Sequence, residues 1–257
     1  MSLEKTFICF FLCFFTAFVG STIEDSPFLA SLEGGLLLEP RTRCAKESSV
    51  LDGVSGFVLE GFHSYSKESE LFWDDSSRLT VLQNTISCLP LDKVRVVSGA
   101  LHPISILTLV KAGIDLFDTS YTYQVTERGG ALCFPYSNEG RSSLPADRMF
   151  ELDLTDGKYA DQFIPLLEKC TCHTCKGFTR GYIHHLLNTR EMLAPVLLSI
   201  HNIHHYLRFF EQLRRYIASS DEGSLDEFER IIRQSRGPDI VYSTDTPPKS
   251  PTSSING

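Results

Sequence analysis

From residue 27 to about residue 120, short apolar runs alternate with longer amphipathic ones. PFLASLEG (27–34) is a β-rich run closed by glycine, and PRTRCAKESSVLDG (40–53) follows it with helical spacing. GFVLEGF (56–62) leads into the amphipathic stretch ESELFWDDSSRLTVLQNTISCLP (68–90). KVRVVSGA (93–100) is followed by HPISILTLVKAG (102–113), closed by Gly113, and then by IDLFDTS (114–120). Strands that read as nearly continuous apolar runs, each followed by a helix, predict βα units and a parallel sheet. Four such units fit a doubly wound sheet or one half of a (β/α)8 barrel. Half a barrel leaves two raw sheet edges, which parallel sheets otherwise avoid.

The texture changes at Phe150. FELDLTDGKY reads as a strand and turn, and DQFIPLLEKC leads into a cysteine cluster. TRGYIHHLLNTREM and APVLLSIHNIHHYLRFFEQLRRYIASS read as helices. In the second, Val196, Leu197, Ile200, Ile203, Leu207 and Phe210 recur at helical spacing and predict its buried stripe. Pro195 suits a first turn, where its missing N–H has no partner to lose.

The cluster brings Cys170, Cys172 and Cys175 close together, with six histidines between positions 173 and 205. Structural zinc sites commonly take three thiolates and one imidazole in a tetrahedron, and these short spacings let three sulfurs converge on one ion. Gly177 gives the chain freedom to leave the loop. His184, His185, His201, His204 and His205 compete for the fourth position. His201, His204 and His205 share a helix face at i, i+3 and i+4, and spacing does not choose among them. The rival reading is a redox pair at Cys172–Cys175. No strand–helix context surrounds that pair, and Cys170 would be left without a role. Four filled positions make the metal structural.

Bulk composition narrows the function classes. The formal charge is −8 and the pI about 5.5, so no overall basic field attracts nucleic acid. RNA contact would need a local patch, for which Arg208, Arg214 and Arg215 are the candidates. The Phe-rich run from Phe7 to Val19 has the layout of a secretory signal and is too short for a membrane span, which needs about 20 apolar residues. Secretion would predict a regular disulfide framework, and Cys44, Cys88 and Cys133 do not supply one. The expected compartment is therefore the cytoplasm rather than a secretory route through residues 1–21, with membrane association as a further expected partner. Residues 1–26 are expected to be an alternative start or signal-like segment, 27–149 a partial barrel, and 150–218 a zinc-binding helical subdomain. Residues 219–257, acidic then rich in Pro and Ser, are expected to be a mostly disordered tail. PYSNEGRSSLPADR reads as a surface loop.

CxCxxC, then TRxYIHHLL, then LLSIHNIHHYLRFF resembles the zinc subdomain of the tRNA-guanine (queuine) transglycosylase family. GFVLEGF and VRVVSGALHPISILTLVKAGIDLFDTS resemble its barrel segments, so the likeness covers roughly residues 27 to 217. It implies an α/β fold, the C-terminal part of a TIM (β/α)8 barrel with a zinc-binding subdomain and long C-terminal helices. It also implies that His201, in the IHN tripeptide, is the fourth ligand to one structural Zn2+ beside Cys170, Cys172 and Cys175. Catalytic chains of the family place a nucleophilic aspartate before a PTR motif, and Asp118 falls on that position. Here the run is YQVTERG (123–129), which resembles the family's non-catalytic, accessory kind of chain. The resemblance thus implies no catalytic residue in this chain. The expected role is a subunit of a heterodimer with a catalytic chain, supporting exchange of guanine for queuine at the wobble position of tRNAs with GUN anticodons. Tyr206, Phe209 and Phe210 are the candidate contacts to that chain, weighed against a place in the chain's own core, which is the favoured reading for Phe210; tRNA is bound through the complex, and the mitochondrial outer membrane is a second expected location. Two alternatives stand: an active transglycosylase with Asp118 as nucleophile, and a truncated product without a folded function.

Overall fold

The computed structural model describes residues 27–62, 73, 75–136, 150–219 and 223–233. The N-terminal Phe-rich run, most of the stretch read as a surface loop (137–149) and the Pro/Ser-rich end lie outside the described residues, as does the first part of the stretch read as a helix from residue 68. The order is β1 (Phe28–Leu32), α1 (Leu38–Ser49), β2 (Val54–Leu59), α2 (Ser76–Ile86), β3 (Val94–Val97), α3 (Pro103–Ala112) and β4 (Leu116–Phe117). It continues with α4 (Ser120–Glu127), β5 (Gly130–Leu132), β6 (Glu151–Asp153), a 3-10 turn (Gly157–Tyr159), α5 (His173–Gly177), α6 (Arg180–Asn188), α7 (Leu193–Ala218) and α8 (Ser224–Arg233).

Strands β1 to β4 form one parallel sheet in sequential order, the arrangement that the alternating blocks predict. Its units are closed by local chemistry. The α3 helix starts at Pro103, with the His102 imidazole accepting from the Ile104 and Ser105 amides. It stops at Gly113, whose φ of 100° is left-handed. Register assigns side chains to faces: Ala30, Phe57 and Arg95 form one row, and Ser31, Val58, Val96 and Leu116 another. The first row, with Leu32, Leu59 and Val97, packs into a core with Cys44 and Ala45 of α1, Leu82 of α2, and Ile106, Leu107 and Leu109 of α3. The fully buried Arg41 knits the strand ends together, donating to the carbonyls of Leu32, Gly35 and Glu60 with its guanidinium over the Phe62 ring. Burial lowers its pKa to about 10.

The 26-residue α7 is about 39 Å long and belongs to two cores. Its first half packs Ala194, Leu197 and Leu198 into a cluster with Leu152, Leu154, Tyr159, Ile183 and the cysteines. Its second half sends Tyr206, Phe209 and Leu213 into the sheet core.

Three expectations change. The stripe Val196, Ile200, Ile203 and Leu207 is exposed and Phe210 half-buried, so only Leu197 of the expected set is deep in the core. Tyr206 and Phe209, expected as docking contacts, are fully buried; Tyr206 donates its hydroxyl to the Leu101 carbonyl. The segment from 219, expected to be mostly disordered, contains α8, which buries Phe228, Ile231 and Ile232 and anchors Asp226 and Glu229 on Lys111. In addition, β5 pairs antiparallel with β6 across the expected division at 149/150. No described helix is long and apolar enough to cross a membrane.

Candidate metal centre

The site grows from the edge of a small sheet. In the β5–β6 pair, Gly129, Ala131 and Cys133 lie at positions that bond across to β6, as Leu154 N–H to Gly129 O and Cys133 N–H to Phe150 O show. The intervening residues point their backbone groups the other way. An open edge of this kind, buried, must be satisfied. Side chains of α7 do so. Asn202 accepts from the Leu132 amide (2.8 Å) and donates to the Gly130 carbonyl (3.1 Å) and the Thr126 hydroxyl (2.9 Å). His201 Nε2 donates to Leu132 O and His205 Nε2 to Phe134 O, each at 2.9 Å. Three polar residues thus enter the core because backbone groups of Gly130, Leu132 and Phe134 receive them.

With Nε2 donating to Leu132, the His201 Nδ1 lone pair is left facing the cysteine loop. Cys170, Cys172 and Cys175 place their sulfurs 3.8, 3.6 and 3.3 Å from it. All four donor atoms lie within 4.8 Å of one another. Zn–S of about 2.3 Å and Zn–N of about 2.0–2.1 Å at tetrahedral angles give an S···N edge of about 3.6 Å. The three observed edges straddle that value, so the donor set fits a tetrahedral ion in type, number and size. The cluster could hold a metal ion.

The loop is prepared for this. Cys172 caps the short α5, its sulfur accepting from the Cys175 amide (3.3 Å). Thr174, fully buried, donates to the Leu197 carbonyl (2.7 Å) and ties the loop to α7. The Cys172–Cys175 pair opens a short helix, and no strand runs into it. Burial alone would lower the His201 pKa, but hydrogen bonds with Cys170, Cys172 and the Leu132 carbonyl raise it to about 9. Hydrogen bonding splits the thiols: contacts with Cys170 and Cys175 push Cys172 far down, and contacts with Cys170 and Cys172 push Cys175 far up.

The other histidines have different fates. His184 bonds the Leu154 carbonyl (2.8 Å) and Asn188, while His173 and His185 are exposed. His204 is half-buried, with burial lowering its pKa. His205 is buried against the Phe134 and Tyr136 rings, and burial lowers its pKa to about 3. The site residue that sequence reasoning missed is Asn202. Its one signal was a polar residue beside His201 on a helix face with apolar neighbours.

Asp118 follows β4 at the end of the sheet. One carboxylate oxygen accepts from the Gly99 amide (3.1 Å) and the other from the Ser120 amide (3.0 Å), at the start of α4. The cleft beside it, about 770 Å3, is lined by Thr119, Tyr123, Gln124, Glu127 and Arg128. Arg128 is itself engaged with Glu151 through two nitrogens, with Nε to Oε2 at 2.8 Å. Of the three basic candidates, Arg208 and Arg215 share Glu211 and Arg214 is exposed beside them, so the face keeps three guanidinium groups to one carboxylate.

Residues 15–238 match the family model described as queuine tRNA-ribosyltransferase. The chain is 42% identical over 205 residues to queuine tRNA-ribosyltransferase accessory subunit 2 of Ixodes scapularis, covering 77% of this chain and 51% of that protein. It is 37% identical over 241 residues to the accessory subunit 2 of Danio rerio, with coverage of 83% and 56%. Against that of Drosophila erecta the figures are 35% over 215 residues, 83% and 49%. The chain spans about half the length of the curated relatives it matches.

Proposed function

The chain belongs to the queuine tRNA-ribosyltransferase family, and from that footing we propose that it is a non-catalytic, zinc-binding subunit. It would pair with a catalytic chain of the family and support exchange of guanine for queuine at the wobble position of tRNA. Its four-stranded sheet is then the C-terminal part of a (β/α)8 barrel, with residues 27–149 as the barrel part and 150–218 as the zinc subdomain, joined by the β5–β6 pair.

The observation that carries the reading is the likeness to queuine tRNA-ribosyltransferase accessory subunit 2 of three relatives at 35–42% identity. Nucleophilic displacement at a ribose carbon needs a positioned carboxylate and a second group to manage the proton. Each Asp118 oxygen accepts one backbone amide, which fixes the carboxylate at the sheet end. In this reading Asp118 joins β3, β4 and α4, and the chemistry belongs to the partner. Cys170, Cys172, Cys175 and His201 would hold one Zn2+ with no position left for water, which makes it structural. The apolar stripe of α7 (Val196, Ile200, Ile203, Leu207), with Tyr123 of α4, lines a groove of about 650 Å3 and takes over the docking role expected of Tyr206 and Phe209. A cytoplasmic location, including the mitochondrial outer membrane, remains part of the proposal.

The test is reconstitution with a catalytic chain and tRNA, reading base exchange. Asp118→Ala in this chain is expected to leave turnover of the complex intact, and the chain alone should be inactive. Turnover by the chain alone that disappears on Asp118→Ala would establish the active-transglycosylase reading instead. A purified chain without zinc that never binds a catalytic chain would support the product without function.

A further inference from the structure

The metal centre is tied to one end of α4 and the Asp118 carboxylate to the other. With 8 residues, α4 is about 12 Å long and well under the about 12–15 residues at which an isolated helix gains stability. Thr119, at its start, makes no capping bond with its side chain, and the β-branched Thr122, Val125 and Thr126 favour the helix little. The order of α4 therefore depends on what holds it from outside. Tyr121 and Val125 sit in the sheet core. The polar ties converge on one strand residue, Leu132. Asn202 accepts from the Leu132 amide and donates to the Thr126 hydroxyl. Glu151, the partner of Leu132 across the β5–β6 ladder, holds Arg128 just past the helix end. The fit there is tight, since a Cβ on Gly130 would lie 2.7 Å from Glu151 Oε2 and 3.0 Å from Val125 Cγ1. The Leu132 carbonyl in turn receives His201 Nε2. At the far end of α4, the Ser120 amide holds one Asp118 oxygen and the Gly99 amide holds the other.

We propose that metal binding orders α4 and thereby sets the position of the Asp118 carboxylate. An ion bound at Nδ1 fixes the His201 ring, and the ring fixes Leu132. Leu132 then keeps Asn202 and Glu151 where they hold the last turn of α4. Coupling of two sites needs an element with two arrangements that both sites bias, and a short helix that is either docked or frayed is such an element. A ligand that binds only the docked arrangement shifts the population toward it. The cleft beside Asp118, lined by Thr119, Tyr123, Gln124 and Glu127, is then formed in the loaded chain and loosened in the metal-free one. This rests on the zinc-binding part of the proposed function and not on the accessory role.

The experiment is hydrogen–deuterium exchange read by mass spectrometry on the full chain under reducing conditions, zinc-loaded and stripped by a chelator, with zinc content measured in each. Stripping should speed exchange of the amides from 120 to 128 by about fivefold, the change that one net hydrogen bond represents. The β1 and β2 amides should keep their rates. Thr126→Val preserves the shape of the side chain and removes the acceptor that Asn202 uses. It should retain one zinc per chain and shrink the effect of zinc on α4, and Thr126→Ser should restore that effect. Unchanged α4 exchange on stripping, equal acceleration of β1 and β2, or a zinc effect undiminished by Thr126→Val overturns the proposal and leaves the metal site standing. A chain that binds no zinc at the four donors overturns both.

Discussion

Replacing Asn202 by alanine should damage the fold and the metal site together, although Asn202 is not among the four donors. The side chain is fully buried and makes three hydrogen bonds. Truncation leaves the Leu132 amide and the Gly130 carbonyl inside the protein without the partners they have now. Each unsatisfied buried group costs about 1–3 kcal/mol, so the expected loss is about 4 kcal/mol. That is a large part of the stability of a typical domain, about 5–15 kcal/mol. Thr126 loses least, because its hydroxyl still donates to the Thr122 carbonyl; Thr126→Ala, by the same reasoning, should cost about 1 kcal/mol. Leu132 also receives His201 Nε2 through its carbonyl, so a loosened strand edge releases the ring that must aim Nδ1 at the sulfurs. Losing such an outer partner weakens metal binding by about 10–100-fold. Urea denaturation of the zinc-loaded protein followed by circular dichroism, and zinc affinity by chelator competition, read the two effects. A loss below about 1 kcal/mol with unchanged affinity would refute the idea that α7 satisfies the strand edge.

Three further outcomes are expected. Cys172→Ser and Cys175→Ser should each abolish stoichiometric zinc and lower the thermal midpoint, whereas Cys88→Ser, far from the cluster in sequence and half-exposed, should do neither; zinc by mass spectrometry and scanning fluorimetry decide. The pH dependence of stability should differ between the two forms. In the metal-free protein the raised His201 and the depressed Cys172 offset each other between about pH 6.5 and 9, because an imidazolium with a thiolate binds as many protons as the unfolded imidazole with a thiol, so stability should be nearly flat there. Zinc needs thiolates and a neutral imidazole, so the loaded form should gain stability over the same range; parallel slopes in fluorimetry would contradict this. Ile203→Asp should abolish co-purification with a catalytic chain while zinc content stays at one per chain, and retained co-purification would move the docking face elsewhere.

The alternation of apolar and amphipathic runs made the sheet legible because every one of its strands is followed by a helix, one of them stopped at Gly113. The three cysteines were legible because their spacing alone confines three sulfurs to one loop. His201 was not, since His204 and His205 share its face, and the choice depends on a strand that the sequence hides. GAL (130–132) is three residues long, follows α4 directly and has no alternation to detect. Without β5 there is no reason for polar side chains to turn inward on α7. Periodicity therefore selected Val196, Ile200, Ile203 and Leu207 as the buried stripe, because they are the most apolar set at helical spacing. The helix has two apolar faces, and the one that packs is the one carrying partners for β5.

This inversion also explains how the metal centre is built. A ligand histidine is useful only if its ring is fixed, and the usual device is a hydrogen bond from its second nitrogen. Here that bond goes to Leu132, whose amide is held by the adjacent Asn202. Neighbouring residues of one helix thus clamp both backbone groups of one strand residue, while the loop is tied to the same helix through Thr174 and Leu197. A cation among the four donors would join the loop, the helix and, through His201, the strand. In the proposed reading this linkage keeps the α7 stripe presented on a rigid surface. Loss of zinc should therefore weaken docking to a catalytic chain before it unfolds the sheet core, because Tyr206, Phe209 and Leu213 hold the far half of α7 independently of the cluster.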